Sequence, residues 1–300
     1  MQWRAFTLEC AETPQEAATV SLPTFETVLY ETPAPGVARI TQNRPDARNA
    51  QNLQLTYDLN AAFDFAAAAD DVKVIILAGS DPHFSSGHDL RGGGGKTHAD
   101  FPVVGTWAEF SKPGAEGYMA NEEEIYLQMC RRWRNIPKPT IAQVQGKCIA
   151  GGLMLAWVCD LIVASEDAAF QDPVVGFGIC GVEYFAHPWE LGARKAKEML
   201  FTSDWISAED AHRLGMVNQV VPREQLAEYT LEMAKKIATK PSFALKLTKE
   251  AVNQSTDAQG QWQAMLSVFN LHQLAHSHWA EMSGGKARMD MSGVPDIARR

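Results

Sequence analysis

No run of the chain approaches the roughly 20 apolar residues that cross a bilayer, so no membrane partner is expected. The five cysteines, Cys10, Cys130, Cys148, Cys159 and Cys180, include no C-x-x-C pair and give no disulfide framework; a reducing cytoplasm is the expected setting. Positive charge is scarce. The 27 Lys and Arg stand against 36 Asp and Glu, a net charge of −9, which argues against a nucleic-acid or anionic-membrane binder. An anionic substrate therefore needs a local basic patch. A G-x-S-x-G elbow is missing, so a Ser-His-Asp hydrolase has no support. Residues 1–23 carry Trp3, Phe6 and Leu8 among Arg4, Glu9, Glu12 and Glu16. Without an apolar core they read as an N-terminal extension rather than a secretory signal.

Two motifs look like ligand sites and are set aside. Gly92-Gly93-Gly94-Gly95-Lys96-Thr97 imitates a phosphate loop, but the position that needs a glycine, five before Gly95, holds Leu90. His272, His276 and His278 lie near one helical face. No carboxylate or cysteine is evident beside them in the sequence, so a polar helix surface is expected and a metal is not.

What the chain does have is bulk and alternation. Its 300 residues, 46% of them hydrophobic, suffice for a full core. Residues 27–31 and 37–42 flank a Pro-Ala-Pro-Gly turn and predict a hairpin. Strand patterns follow at 72–78, 140–145, 161–164 and 218–221, with helical patterns at 52–69, 120–135 and 151–159 between them. Ser207-Ala208-Glu209-Asp210 reads as a capped helix start, and 224–239, 242–254 and 258–280 are helical. An α/β core over 24–220 with a helical C-terminal region over 221–300 is the expected plan.

Two glycine-centred stretches directly follow strand patterns. They are Phe84-Ser85-Ser86-Gly87-His88-Asp89-Leu90 and Gln145-Gly146-Lys147-Cys148-Ile149-Ala150-Gly151-Gly152. Each ends where backbone N–H groups are free before the next helix can use them. Two such groups aimed at one point suit a carbonyl oxygen that gains negative charge. The segment 92–117 has no sustained periodicity and holds nine glycines and prolines with Trp107 and Phe110; it reads as a lid-like insertion over the ligand. Asn43 to Ala50 offers Arg44 and Arg48 as cations.

These pieces together resemble the crotonase superfamily, the enoyl-CoA hydratases and isomerases. The matching stretches are Asn43-Arg44-Pro45 through Asn49-Ala50, Phe84 through Leu90, Lys138-Pro139-Thr140 through Gly151-Gly152, Cys159-Asp160-Leu161-Ile162, and Ile206 through Asn218. The resemblance implies a ClpP/crotonase-like spiral of ββα units and C-terminal helices that build a homotrimer or homohexamer. It implies an acyl-CoA substrate, with coenzyme A entering as part of that substrate and no bound cofactor. The thioester oxygen would be held by the N–H groups of His88 and Gly151. Arg48 and Ala50 map to the coenzyme region, and Ser86, Asp89 and Leu90 to the pantetheine and thioester.

The departures concern the chemistry. Hydratases of the family use two glutamates. By register these positions hold Met154 and Val174, which cannot ionise. Glu183 lies nine positions after Val174, in a region where dienoyl-CoA isomerases and aryl-CoA dehalogenases place an aspartate. A wall of Met154, Val174 and Phe177 facing it would raise its pKa. The alternative is a solvated loop carboxylate. Asp172 is the second candidate, Tyr184 a possible donor, and the His88 side chain a further acid or base. Trp107, Phe110 and Trp189 either line a wide acyl pocket or pack in core and interface. The expected activity is of enoyl-CoA hydratase/isomerase type with a single acid. Acyl-CoA hydrolysis (of the thioester or of a ring C–C bond), decarboxylation, or CoA-ester binding without catalysis are the rivals.

Overall fold

The computed structural model describes residues 22–91 and 95–283. Nearly all of the 1–23 extension and Gly92–Gly94 of the glycine run lie outside them. Nine strands are present among these residues: β1 (Val28–Ala34), β2 (Val37–Gln42), β3 (Val74–Gly79), β4 (Thr140–Val144), β5 (Lys147–Ile149), β6 (Leu161–Ser165), β7 (Ala169–Gln171), β8 (Ile206–Ser207) and β9 (Gln219–Val221). The α-helices are α1 (Leu53–Ala68), α2 (Ala115–Glu122), α3 (Met129–Arg134), α4 (Gly151–Trp157), α5 (His187–Leu191), α6 (Ala193–Thr202), α7 (Ala208–Leu214), α8 (Leu226–Ala238), α9 (Ser242–Ala258) and α10 (Gln261–Met282). A π-helical turn, Glu123–Gln128, joins α2 to α3 in one continuous rod.

The six-stranded sheet runs β1-β2-β3-β4-β6-β9, antiparallel only at the β1–β2 hairpin. Parallel strands buried on both faces need uninterrupted apolar runs, which Val74-Ile75-Ile76-Leu77 supplies. Val74 and Ile76, with Val37, Ile141 and Val163, face Leu226 and Ala234 of α8. Ile75 and Leu77 face the main core, with Leu59 and Phe63 of α1 and Leu153 of α4. Asn52 caps α1 by accepting Leu55 N–H at 3.0 Å, and Ser207 caps α7 through Asp210 N–H at 3.1 Å.

A second sheet, β5-β7-β8, runs beside the first in the chain path. From β4 the chain turns through Gly146 into β5, then enters α4. From β6 it passes to β7 in the same way. At Gly146, φ is +58°, and an added Cβ would lie 2.5 Å from the Pro82 carbonyl oxygen, so only glycine fits this turn. Large-sheet strand, small-sheet strand and helix thus repeat, which is the spiral of ββα units the resemblance implies. The three-residue strands β5 and β7 were not expected from the sequence. They are too short to show a period.

Candidate active site

The repeat brings the two glycine-centred turns together. Phe84 N–H donates to Gln145 O at 2.8 Å, Ser85 N–H to Lys147 O at 3.2 Å, and Ile149 N–H to Ser85 O at 3.0 Å. On the other side Gln51 N–H donates to Gly87 O at 2.8 Å and Asp89 N–H to Gln51 O at 2.7 Å. Those bonds use the amides either side of His88 and leave its own N–H outside the pairing. Neither His88 N–H nor Gly151 N–H has an acceptor among the described residues. Gly87 has φ +88°, and a Cβ there would lie 3.3 Å from Gly151 N, so the turns touch.

Two cavities open around this junction. The larger, about 510 Å³, is bordered by Asp89, Tyr118, Asn121, Glu122, Ile125, Tyr126, Ile179, Val182, Glu183, His272 and His276. The smaller, about 190 Å³, is bordered by Arg48, His83, Ser86, Lys147, Ile149, Ala150 and Trp205. His88, Leu90, Val174 and Phe177 border both. The His88 ring, 3.9 Å from the Tyr126 ring, therefore stands in the wall between them. Arg48 and Lys147 form a local basic patch of the kind an anionic substrate requires of an acidic protein, while burial and these neighbouring cations hold the His83 ring below its usual value.

Glu183 is not a solvated loop residue. It is 3% exposed, and its Oε2 lies 3.1 Å from His88 Nε2. Its Oε1 faces His272 Nε2 at 3.5 Å. Burial pushes the Glu183 carboxyl up, but the charges of His88 and then His272, with the His88 hydrogen bond, outweigh it and hold it at about 2. The upward shift expected from an apolar wall is therefore corrected. Two histidines face the carboxylate, and Met154 is packed in the core, 1% exposed, bordering neither cavity.

Other expected residues are placed as follows. Asp172 is fully buried away from both cavities and is not a free acid. Its Oδ2 accepts from Val182 N at 3.2 Å and meets His187 Nε2 at 2.8 Å, and its Oδ1 accepts from Val174 N at 3.2 Å. It fastens the loop that carries Glu183. Ala50 is buried, and its carbonyl accepts from Arg44; it borders neither cavity. Arg44 also donates to Asp89 at 2.9 Å. Burial raises the Asp89 carboxyl, but hydrogen bonds from Arg91 and Arg44 bring it below its usual value. Trp107, Phe110, Trp189 and Tyr184 border neither cavity; Phe110 stacks on His98 with ring centroids 4.1 Å apart, and Tyr184 is core.

Residues 96–105 of the long segment before α2 are fastened to the body of the fold. Lys96 pairs with Glu26 at 2.7 Å, and Phe101 stacks on Tyr57 at 4.4 Å. The fully buried Glu124 accepts Val104 N–H at 2.8 Å, Gly105 N–H at 2.6 Å and Tyr57 O–H at 3.0 Å.

The sequence reading missed the far wall. His272 and His276 are not a polar surface: they are 3% and 8% exposed, and only His278 is exposed. His272 Nε2 lies 3.1 Å from Glu122 Oε2, and Gln273 Nε2 donates to that oxygen at 2.6 Å. Burial lowers the His272 ring, but the Glu183 charge and the bond and charge of Glu122 lift it to about 9. Burial and the neighbouring His272 push His276 down to about 3. Burial raises Glu122 against the His272 hydrogen bond. The four-residue spacing of the histidines was the available signal; their partners come from about 150 residues upstream.

Comparison with known proteins places the chain in a family. The family model for enoyl-CoA hydratase/isomerase matches residues 32–286. EchA13 of Mycobacterium tuberculosis, assigned as an enoyl-CoA hydratase, is 49% identical over 273 residues, covering 87% of this chain and 84% of that protein. The crystal structure of a probable enoyl-CoA hydratase from Mycobacterium smegmatis superposes with a TM-score of 0.78 at 49% identity, covering 86% of this chain and 97% of that one. An enoyl-CoA hydratase/isomerase from Xanthobacter autotrophicus Py2 gives 0.75 at 33% identity, covering 88% and 96%. On the family match, the sequence identity and the shared fold, the chain belongs to the enoyl-CoA hydratase/isomerase family of the crotonase superfamily.

Proposed function

We propose that the protein is an enoyl-CoA isomerase whose acid–base group is the His88–Glu183 pair. The coenzyme arm lies in the smaller cavity against Arg48 and Lys147, and the acyl group enters the larger one. The thioester oxygen sits at the touching turns, where the N–H groups of His88 and Gly151 have no other acceptor among the described residues. Such donors stabilise the charge that appears on that oxygen when a proton leaves the acyl chain. The ionised Glu183 takes the proton from Cα of a β,γ-enoyl group. The electron pair moves into a dienolate held at the oxygen, and the same carboxyl returns the proton to Cγ, which leaves the double bond between Cα and Cβ. Atoms balance with no water consumed. The observation that carries this reading is one buried carboxylate against His88, beside the amide junction, while both positions of the hydratase glutamates hold apolar residues.

A panel of β,γ- and α,β-enoyl-CoA thioesters, straight and cyclic, tests it. Isomerisation raises the conjugated-thioester absorbance from β,γ-substrates without thiol release. Loss of absorbance from α,β-substrates with a hydroxyacyl product means hydration instead, thiol release means hydrolysis, and tight binding without either means a binder. A homotrimer or homohexamer goes with the proposal. Phe243, Leu247, Val252, Leu271 and Leu274 are exposed on α9 and α10, in support of packing between copies. Light scattering reads the assembly.

A further inference from the structure

The histidines of α10 gain from the fold the support that their sequence neighbourhood lacks. His272 and His276 are four residues apart on one helix face, and their Nε2 atoms lie 2.7 Å from each other. Glu122, at the end of α2, places Oε2 3.1 Å from His272 Nε2 and Oε1 3.3 Å from His276 Nε2. All three side chains are buried, and all three border the larger cavity. Two histidines one turn apart with a carboxylate from a second element is a donor set that zinc sites use.

The spacing suits an ion. A tetrahedral ion with bonds of about 2.0–2.1 Å keeps its ligand atoms about 3.3 Å apart. Two of the gaps here, 3.3 and 3.1 Å, are close to that distance; the third, 2.7 Å between the two nitrogens, is about 0.6 Å under it and must widen as an ion enters. The outer contacts suit it as well. His272 Nδ1 lies 2.7 Å from the Gly181 carbonyl oxygen, which can only accept. The proton therefore sits on Nδ1, and in the neutral ring the Nε2 lone pair faces the cluster. Gln273 holds Glu122 from the side. Two nitrogens and a carboxylate favour zinc or cobalt over magnesium or calcium.

We propose that Glu122, His272 and His276 bind one divalent ion of the zinc type, with the remaining coordination position open to the larger cavity for water or an oxygen-bearing acyl group. The site stands apart from the isomerase reading, because the ligands can gather an ion whether or not an acyl-CoA binds.

The experiment uses tag-free full-length protein, stripped with chelator and titrated with zinc chloride alone and with cobalt chloride alone. One equivalent per chain is expected, with a dissociation constant below about 1 μM, a free energy near −8 kcal/mol, and the visible cobalt bands of a four-coordinate site. His276→Gln and Glu122→Gln should each weaken binding by about 100-fold, with circular dichroism showing the fold retained. His278→Ala, an exposed neighbour on the same helix, should bind as the wild type does. Failure of the folded wild type to take up zinc or cobalt saturably overturns the proposal, and so does undiminished uptake by the folded Glu122→Gln protein. Because the readout is metal binding, neither result depends on turnover of any thioester.

Discussion

Glu183→Gln is the sharpest perturbation of the proposed chemistry. Glutamine keeps the size of the side chain and a hydrogen-bonding oxygen for His88, now 3.1 Å from the carboxylate. It removes the charge and the ability to take a proton. Proton transfer by a positioned side chain contributes about 10²–10⁴ in rate. At 1.36 kcal/mol per tenfold, the loss is about 2.7–5.4 kcal/mol of transition-state stabilisation. The amides of His88 and Gly151 and the basic wall of the smaller cavity are untouched. The loss should therefore fall on kcat, with the dissociation constant of a non-reactive acyl-CoA within about twofold, less than 0.5 kcal/mol. The assay is the conjugated-thioester absorbance on the best substrate of the panel, beside fluorescence titration with a saturated acyl-CoA. A variant with kcat within about threefold of the wild type refutes the assignment, since it would leave far less than the 10²-fold that proton transfer supplies.

His88→Asn keeps the backbone amide and removes the ring. Turnover should fall as in Glu183→Gln, and the double variant should be little worse than either, because groups that act as a unit are not additive; additive losses in a kinetic double-mutant cycle would separate the two residues. Gly87→Ala places a Cβ 2.8 Å from Ile149 O at φ +88°. It should cost about 1–3 kcal/mol of stability and, by moving the His88 N–H, about 10²–10³ in kcat/KM; thermal melts and kinetics measure the two, and an unchanged kcat/KM would free that amide from the mechanism. Glu124→Gln replaces the oxygen that accepts Gly105 N–H or the one that accepts Val104 N–H and Tyr57 O–H with an NH₂ group. About 1–3 kcal/mol should be lost for a buried donor left unpaired, and hydrogen exchange should quicken at Val104 or Gly105 while β3 stays protected.

Much of the frame could be read from the chain because local patterns set it. The run through Ile75–Leu77 and the Asn52 and Ser207 caps each answer to burial or hydrogen bonding within a few residues, and Gly87 and Gly146 answer to a local positive φ, although the atoms that crowd their missing Cβ lie about 60 residues away. The touching turns were readable for the same reason, since each needs a bare backbone. The acid–base surroundings were not. Glu183 was in view, but the charges that set its ionisation come from His88, 95 residues upstream, and from His272 on α10. No local period couples residues so far apart. The same distance hid Glu122 from the histidines, so a buried cluster looked like a solvated face. Asp172 misled in the opposite way. An acid beside a proline in a predicted cleft turned out to fix a loop, because three donors from the chain that follows converge on it.

The π-helical turn at 123–128 splices two stretches of one rod out of phase. Deleting a single residue there would restore regular winding, and it would also spin everything upstream by about 100° about the axis. Tyr118, Asn121 and Glu122 would swing off the larger cavity together while Trp133 and the rest of the downstream half kept its seat. Half of the far wall thus depends on one residue's worth of extra backbone, and its loss would be felt there before it was felt in the core.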